Sequence, residues 1–329
     1  MRPFSTSSLS AAADRVLLLA ALLAGCSTTP TSLDPRPSRP LTGEDQGRYS
    51  VATIERERVD STRVEDGVEI TKGHLTIEGR ELEFSTWTPV GRKDPAPFVD
   101  ILPILAGGDS LVRSLGMDLA EHGFASGTLE RPGRTLRDHE SIEQLGANWT
   151  AIVRHERAFL GWALARPGVD PEGAGCVGLS LGGLFATVVT AVDPRVCWSA
   201  ICIAGGDLPD ILIHSNEIRA RRWGGEQLAS HDGSPRKLQT ALREGLGVEP
   251  ARLALSIDPS KILFVRAAFD HTMPGRNSAL LWECLGRPER ITLPTEHYTS
   301  ALFLSWITGR IVHFARARTG VAEPAREEG

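Results

Sequence analysis

The chain has 329 residues, 41% hydrophobic and 23% charged, an ordinary globular composition. A formal net charge of −5 gives it no general attraction for nucleic acid, and no basic stripe with interleaved aromatics is present. The absence of heptads and long-period repeats also sets aside coiled coils and solenoids.

In chain order the first element is a leader. Arg2 and Arg15 precede an apolar run from Val16 to Ala24. Such a run is too short to cross ~30 Å of hydrocarbon as a helix but suits the core of a signal peptide, expected over residues 1–25. Its end, Leu23-Ala24-Gly25-Cys26, resembles a bacterial lipobox. The resemblance implies cleavage before Cys26, a diacylglycerol on its thiol and an acylated N-terminus, with anchoring to the membrane through the acyl chains. Because Ser27 rather than Asp follows the cysteine, it also implies sorting to the outer membrane if the cell is Gram-negative. An ordinary signal peptide with a coincidental cysteine is the alternative. Residues 26–46, rich in Pro, Ser and Thr, read as a disordered tether. The globular part is expected over 47–320, followed by a disordered tail, 321–329.

Stretches 48–59, 67–79 and 80–90 alternate polar and apolar residues, which predicts antiparallel strands with a hairpin near Gly79-Arg80. The pattern then changes to apolar runs at 98–105, 124–130, 174–180, 197–206, 261–270 and 290–294. Between them lie helical stretches at 110–123, 147–166, 181–192, 277–286 and 298–318. Buried strands alternating with helices predict a mostly parallel sheet with helices on both faces. Pro103 is a misfit in its strand and predicts a bulge or break there. Residues 207–258 interrupt the rhythm with polar helical sequence, as a lid insertion would. Cys176, Cys197, Cys202 and Cys284 lack metal spacing and are expected to be free thiols; no metal is expected.

Gly178-Leu179-Ser180-Leu181-Gly182 falls between a predicted strand and a predicted helix. A G-x-S-x-G sequence carries chemistry at that corner, because a tight turn there lifts the serine above the sheet. A serine alcohol is a poor nucleophile without a base and an orienting acid. Asp270 follows the strand 261–270, and His297 follows the strand 290–294, so both fall where catalytic groups collect beyond strand carboxyl ends. Asp207 is a rival acid. Asp270 could instead cap the next helix or pair with Arg276. His271, His122 and His313 are read as rim, surface or packing residues. Asn148-Trp149-Thr150 matches a glycosylation pattern but lies in a predicted helix.

With these residues in place, residues 80–318 resemble an α/β-hydrolase-fold serine hydrolase, with features of the dienelactone-hydrolase and prolyl-oligopeptidase-like branches. The resemblance implies Ser180 as nucleophile, His297 as base and Asp270 as orienting acid. It also implies an oxyanion hole made by the Leu181 N–H and a donor from the loop Ala106-Gly107-Gly108-Asp109, either Gly107 or Gly108. The expected activity is cleavage of a small-molecule carboxylic ester through an acyl-enzyme, with no cofactor. A peptidase or amidase would share the triad, and a non-catalytic envelope binding protein would share the fold. Arg219, Arg221 and Arg222 beside Trp223 could bind an anionic substrate group or form a solvated helix face.

Overall fold

The computed structural model describes residues 27–29, 39–105, 109–131 and 135–322. Ten strands form one sheet: β1 (Ser27–Thr29), β2 (Ile54–Glu65), β3 (Val68–Ile77), β4 (Arg80–Pro89), β5 (Ala96–Leu102), β6 (Ala125–Leu129), β7 (Val169–Leu179), β8 (Trp198–Cys202), β9 (Ile262–Ala267) and β10 (Glu289–Leu293). Their order is β1-β10-β9-β8-β7-β5-β6-β4-β3-β2. From β6 through β10 the pairs are parallel, while β2, β3, β4 and β1 pair antiparallel.

The N-terminal strands follow turn chemistry. Asp66-Gly67 and Glu78-Gly79 have positive φ at both residues, as tight hairpin turns require. β2 lies six residues later than the alternation suggested. It is the sheet's edge and buries almost nothing, so no apolar pattern marks it. β5 ends at Leu102, directly before Pro103. The irregularity in its pairing falls earlier, between Pro97 and Val99, because Pro97 also lacks an N–H.

Helices cover both faces. On one side lie α2 (Asp109–Glu121) and α10 (Leu304–Thr319), where the buried Trp198 makes edge contacts with Phe124 and Phe314. On the other lie α3 (Ile142–Leu164) and α4 (Leu181–Val192), joined by the edge contact of Trp149 with Phe185. Each such buried aromatic or aliphatic side chain contributes ~1.5–3 kcal/mol. α3 starts earlier than the apolar pattern suggested, because Ser141 and Gln144 form a capping box. Among the described residues no helix is long and apolar enough to cross a membrane.

Two parts of the stretch 26–46, expected to be disordered, are ordered instead. Ser27–Thr29 pairs with β10. Gly43–Arg48 forms a short helix, α1, capped by Thr42 and tied down by Asp45, which is ion-paired to Arg252 at 2.6 Å. That guanidinium holds the Asp45 carboxyl at about 2.

The insertion forms α5 (Leu208–His214), α6 (Ile218–Ser230), α7 (Pro235–Gly245) and α8 (Pro250–Ala254), with α8 packed against α4. Trp223 of α6 is buried and donates from Nε1 to Glu140 O at 2.8 Å. The Glu249 carboxylate accepts from the N–H groups of Asp207, Leu208 and Ala251. The insertion is thus docked into the core. α9 (Gly275–Cys284) follows β9. Among the described residues, Cys176, Cys197, Cys202 and Cys284 are free thiols.

Candidate active site

Ser180 joins β7 to α4 at φ 54° and ψ −117°, a conformation that side-chain-bearing residues avoid. Such a residue costs ~1–3 kcal/mol unless its surroundings impose it. Here the Ser180 N–H donates to Cys202 O at 2.9 Å, fastening the turn to the end of β8. The flanking glycines are sterically required. A Cβ at Gly178 would lie 2.2 Å from Gly182 O, and one at Gly182 would lie 2.0 Å from Leu102 O.

The turn presents Ser180 Oγ to His297 Nε2 at 2.9 Å. His297 Nδ1 lies 2.8 Å from Asp270 Oδ2. The other oxygen of Asp270 accepts from the backbone N–H groups of Thr272 and Met273, at 2.9 and 2.7 Å. These two donors, absent from the sequence reading, fix the carboxylate's orientation. The Asp270 side chain is buried and that of His297 only 9% exposed, so their hydrogen bond is largely shielded from water.

The competing assignments find other partners. Asp207 sits at the start of α5 and faces Arg243 at 3.2 Å. Arg276 pairs with Asp210 at 2.8 Å, not with Asp270. His271 and His313 are exposed, and His122 Nδ1 lies 2.7 Å from Asp118 O. Asn148 Nδ2 is taken up by Glu140 Oε1 at 2.6 Å.

Leu181 opens α4, where the backbone N–H has no intrahelical acceptor and the helix dipole favours negative charge. Gly107 and Gly108 lie outside the described residues, as do Ala106 and Cys26. The start of the Gly107–Gly108 loop is held by a residue the sequence did not single out. Arg131 donates to Pro103 O and Ile104 O and lies over the Phe185 ring at 5.0 Å. Burial pulls its pKa down to about 10.

An apolar cavity of about 170 Å³ opens over Ser180 and His297. Leu111, Leu179, Ile203, Leu304 and Ile307 contribute its walls. Of the three arginines beside Trp223, Arg219 reaches this cavity and donates to Leu105 O at 3.1 Å. Arg222 pairs with Asp138 at 2.8 Å on the surface, and Arg221 is exposed.

No protein-family model matches the chain. No curated protein matches it. Solved structures do. An acetyl xylan esterase from Paenibacillus sp. R4 superposes with a TM-score of 0.64 at 14% identity, covering 84% of this chain and 92% of that one. Acetyl xylan esterase 1 from Thermoanaerobacterium sp. JW/SL YS485 gives 0.62 at 14% identity, covering 84% and 95%. The chain has the α/β-hydrolase fold. A cold-adapted esterase from an Arctic intertidal metagenomic library shares it at a TM-score of 0.54 and 15% identity, covering 80% and 99%. As expected for this fold, the mostly parallel sheet carries helices on both faces, and Ser180, Asp270 and His297 all follow strand ends.

Proposed function

We propose that the protein is a serine hydrolase of carboxylic esters, anchored to the cell envelope through Cys26. The observation that carries the catalytic reading is the continuous relay from Ser180 Oγ through His297 to Asp270, at 2.9 and 2.8 Å. Ser180 Oγ attacks the ester carbonyl while its proton passes to His297 Nε2. Asp270 accepts from Nδ1–H and stabilises the imidazolium that forms. The tetrahedral oxyanion takes the Leu181 N–H and a second donor from the Gly107–Gly108 loop, the latter worth ~2.7–4 kcal/mol to the transition state. His297 then gives its proton to the departing alcohol, leaving an acyl-Ser180 ester. Water, activated by the same histidine, attacks that ester, releases the acid and restores the serine. These steps need only the residues named.

Esterase activity among the structural neighbours supports the ester substrate. The cavity supports a short acyl group: at about 170 Å³ it is comparable to a ~150 Å³ apolar cavity that holds one benzene-sized molecule. The Leu23-Ala24-Gly25-Cys26 sequence supports the anchor.

The test is hydrolysis of 4-nitrophenyl acyl esters of increasing chain length, with Ser180→Ala alongside and fluorophosphonate labelling of both. Expected is labelling of the parent alone, with turnover highest on acetyl or butyryl esters and falling with length. Loss of Ser180 should cost ~10⁴-fold or more in kcat. A folded parent that neither turns over nor takes the label would remove the serine-hydrolase reading.

A further inference from the structure

The catalytic cavity has a larger neighbour. A cleft of about 770 Å³ lies beside it, and Ile104, Leu105 and Arg219 line both. The two differ in chemistry. The catalytic cavity is mainly apolar, whereas the cleft is lined by Arg63, Lys72, Arg113, Arg131 and Arg219 against Glu83 and Glu130. Some of these cations are engaged. Glu65, beside the cleft, pairs with Arg113 and lies 3.4 Å from Arg63, and Lys72 is 4.0 Å from Glu83. Counting Glu65, and also Glu217 of the adjoining cavity, five cations face four carboxylates, and the balance is still positive. These charged residues of the cleft come from β2, β3, β4, α2, α6 and the residues just after β6, so the concentration of charge is a product of the fold.

Arg219 stands on the boundary. It is half-buried, and among the described residues no carboxylate pairs with it. Its hydrogen bond goes to a backbone carbonyl, Leu105 O, and its other guanidinium donors have no acceptor among the described residues. A guanidinium that spends one donor on a backbone carbonyl and meets no carboxylate among the described residues, at the wall of a cleft of this size, suits a carboxylate, sulfate or phosphate group, which it can bind through two parallel bonds.

We propose that the cleft recognises an anionic group on the alcohol half of the substrate, with Arg219 touching it nearest the scissile bond. This rests on the ester-hydrolase reading. The division between the two halves follows from volume and polarity. The apolar cavity has room for a short acyl chain; its walls are mostly aliphatic and include the Glu217 carboxylate, so an anion placed deep in it would lose most of its hydration, whereas Arg219 is also reached from the cleft side. The bulky, charged half therefore occupies the cleft, beyond Ile104 and Leu105.

The test uses the full chain in detergent and two acetyl esters that differ in one charge, 4-acetoxybenzoate and methyl 4-acetoxybenzoate. Arg219→Met is compared with the parent, and Arg222→Met serves as a charge-matched control on the surface. The expected result is that Arg219→Met lowers kcat/KM for the anionic ester about tenfold or more beyond its effect on the methyl ester, mainly through KM, as loss of a charged hydrogen bond would. Arg222→Met should leave the ratio between the two esters at the parental value, and raising ionic strength should erode the parent's preference. Equal losses on both esters in Arg219→Met would overturn the proposal in favour of a structural role. If the parent hydrolyses neither ester, the ester reading fails, and calorimetry with 4-hydroxybenzoate decides the cleft separately. Binding by the parent that is lost in Arg219→Met supports the cleft; binding that is absent, or equal in both, removes it.

Discussion

Replacing Asp270 with asparagine separates the proposed orienting acid from its rival in a way the geometry makes quantitative. Asp270 Oδ1 is committed to two backbone donors, the N–H groups of Thr272 and Met273, at 2.9 and 2.7 Å. An asparagine must keep its oxygen there, because the reversed amide would set its NH₂ against both donors. Leaving those buried N–H groups unpaired would cost ~1–3 kcal/mol each. The amide NH₂ is then forced toward His297 Nδ1, where Oδ2 now lies at 2.8 Å. That NH₂ can only donate, so Nδ1 must be unprotonated and the imidazole proton moves to Nε2, facing Ser180 Oγ. The histidine can no longer accept the serine proton. The expected loss is ~10⁴-fold in kcat, or about 5.4 kcal/mol at 1.36 kcal/mol per decade. The assay is kcat and KM on 4-nitrophenyl acetate for the parent, Asp270→Asn and Asp207→Asn, with thermal midpoints confirming that all three are folded. Asp207 is paired with Arg243 rather than with His297, so Asp207→Asn should stay within about twofold of the parent. Retention of more than about a tenth of the parental kcat in Asp270→Asn, or an equal fall in Asp207→Asn, would refute the reasoning.

Other consequences are open to direct measurement. Gly182→Ala would push a methyl group to 2.0 Å from Leu102 O. Such overpacking costs ~1–3 kcal/mol or more, so a lowered Tm and loss of fluorophosphonate labelling are expected; parental values of both would show that the turn can relax. Burial raises the pKa of Glu156 to about 8, with Arg131 opposing, and burial beside Glu156 and Asp193 raises Asp100 as well. Between the unfolded carboxylate pKa and that raised value the folded state binds more protons, so stability should fall as pH climbs from about 5 to 8. Denaturant melts at a series of pH values should show the slope reduced in Glu156→Gln, and an unchanged slope would assign it elsewhere. Cys26→Ala in the full chain should move the protein from the membrane fraction to the soluble one; continued membrane attachment would exclude a lipid on that thiol.

Much of the candidate site was legible in the chain because it depends on local chemistry. The run Gly178 to Gly182 reads as a turn since only residues without a side chain clear Gly182 O and Leu102 O, and small-residue requirements of that kind survive in sequence. The apolar strands and their alternation with helices give the layered sheet, because a strand covered on both faces has no use for polar residues. Elements without a buried face left weaker marks: β2 carries no apolar pattern because it is a solvent-facing edge. Other features depended on distant parts of the chain. Ser180 and His297 are 117 residues apart, and Asp270 was separable from Asp207 only when Arg243 and the two backbone donors were in view. The arginines beside Trp223 look alike in sequence; docking of α6 turns Arg219 into the site and leaves Arg222 on the surface with Asp138. The charged cleft draws on strands and helices from residue 63 to residue 219. Its composition is set by where the fold brings those side chains together, since electrostatic fields add by distance in space and not along the chain.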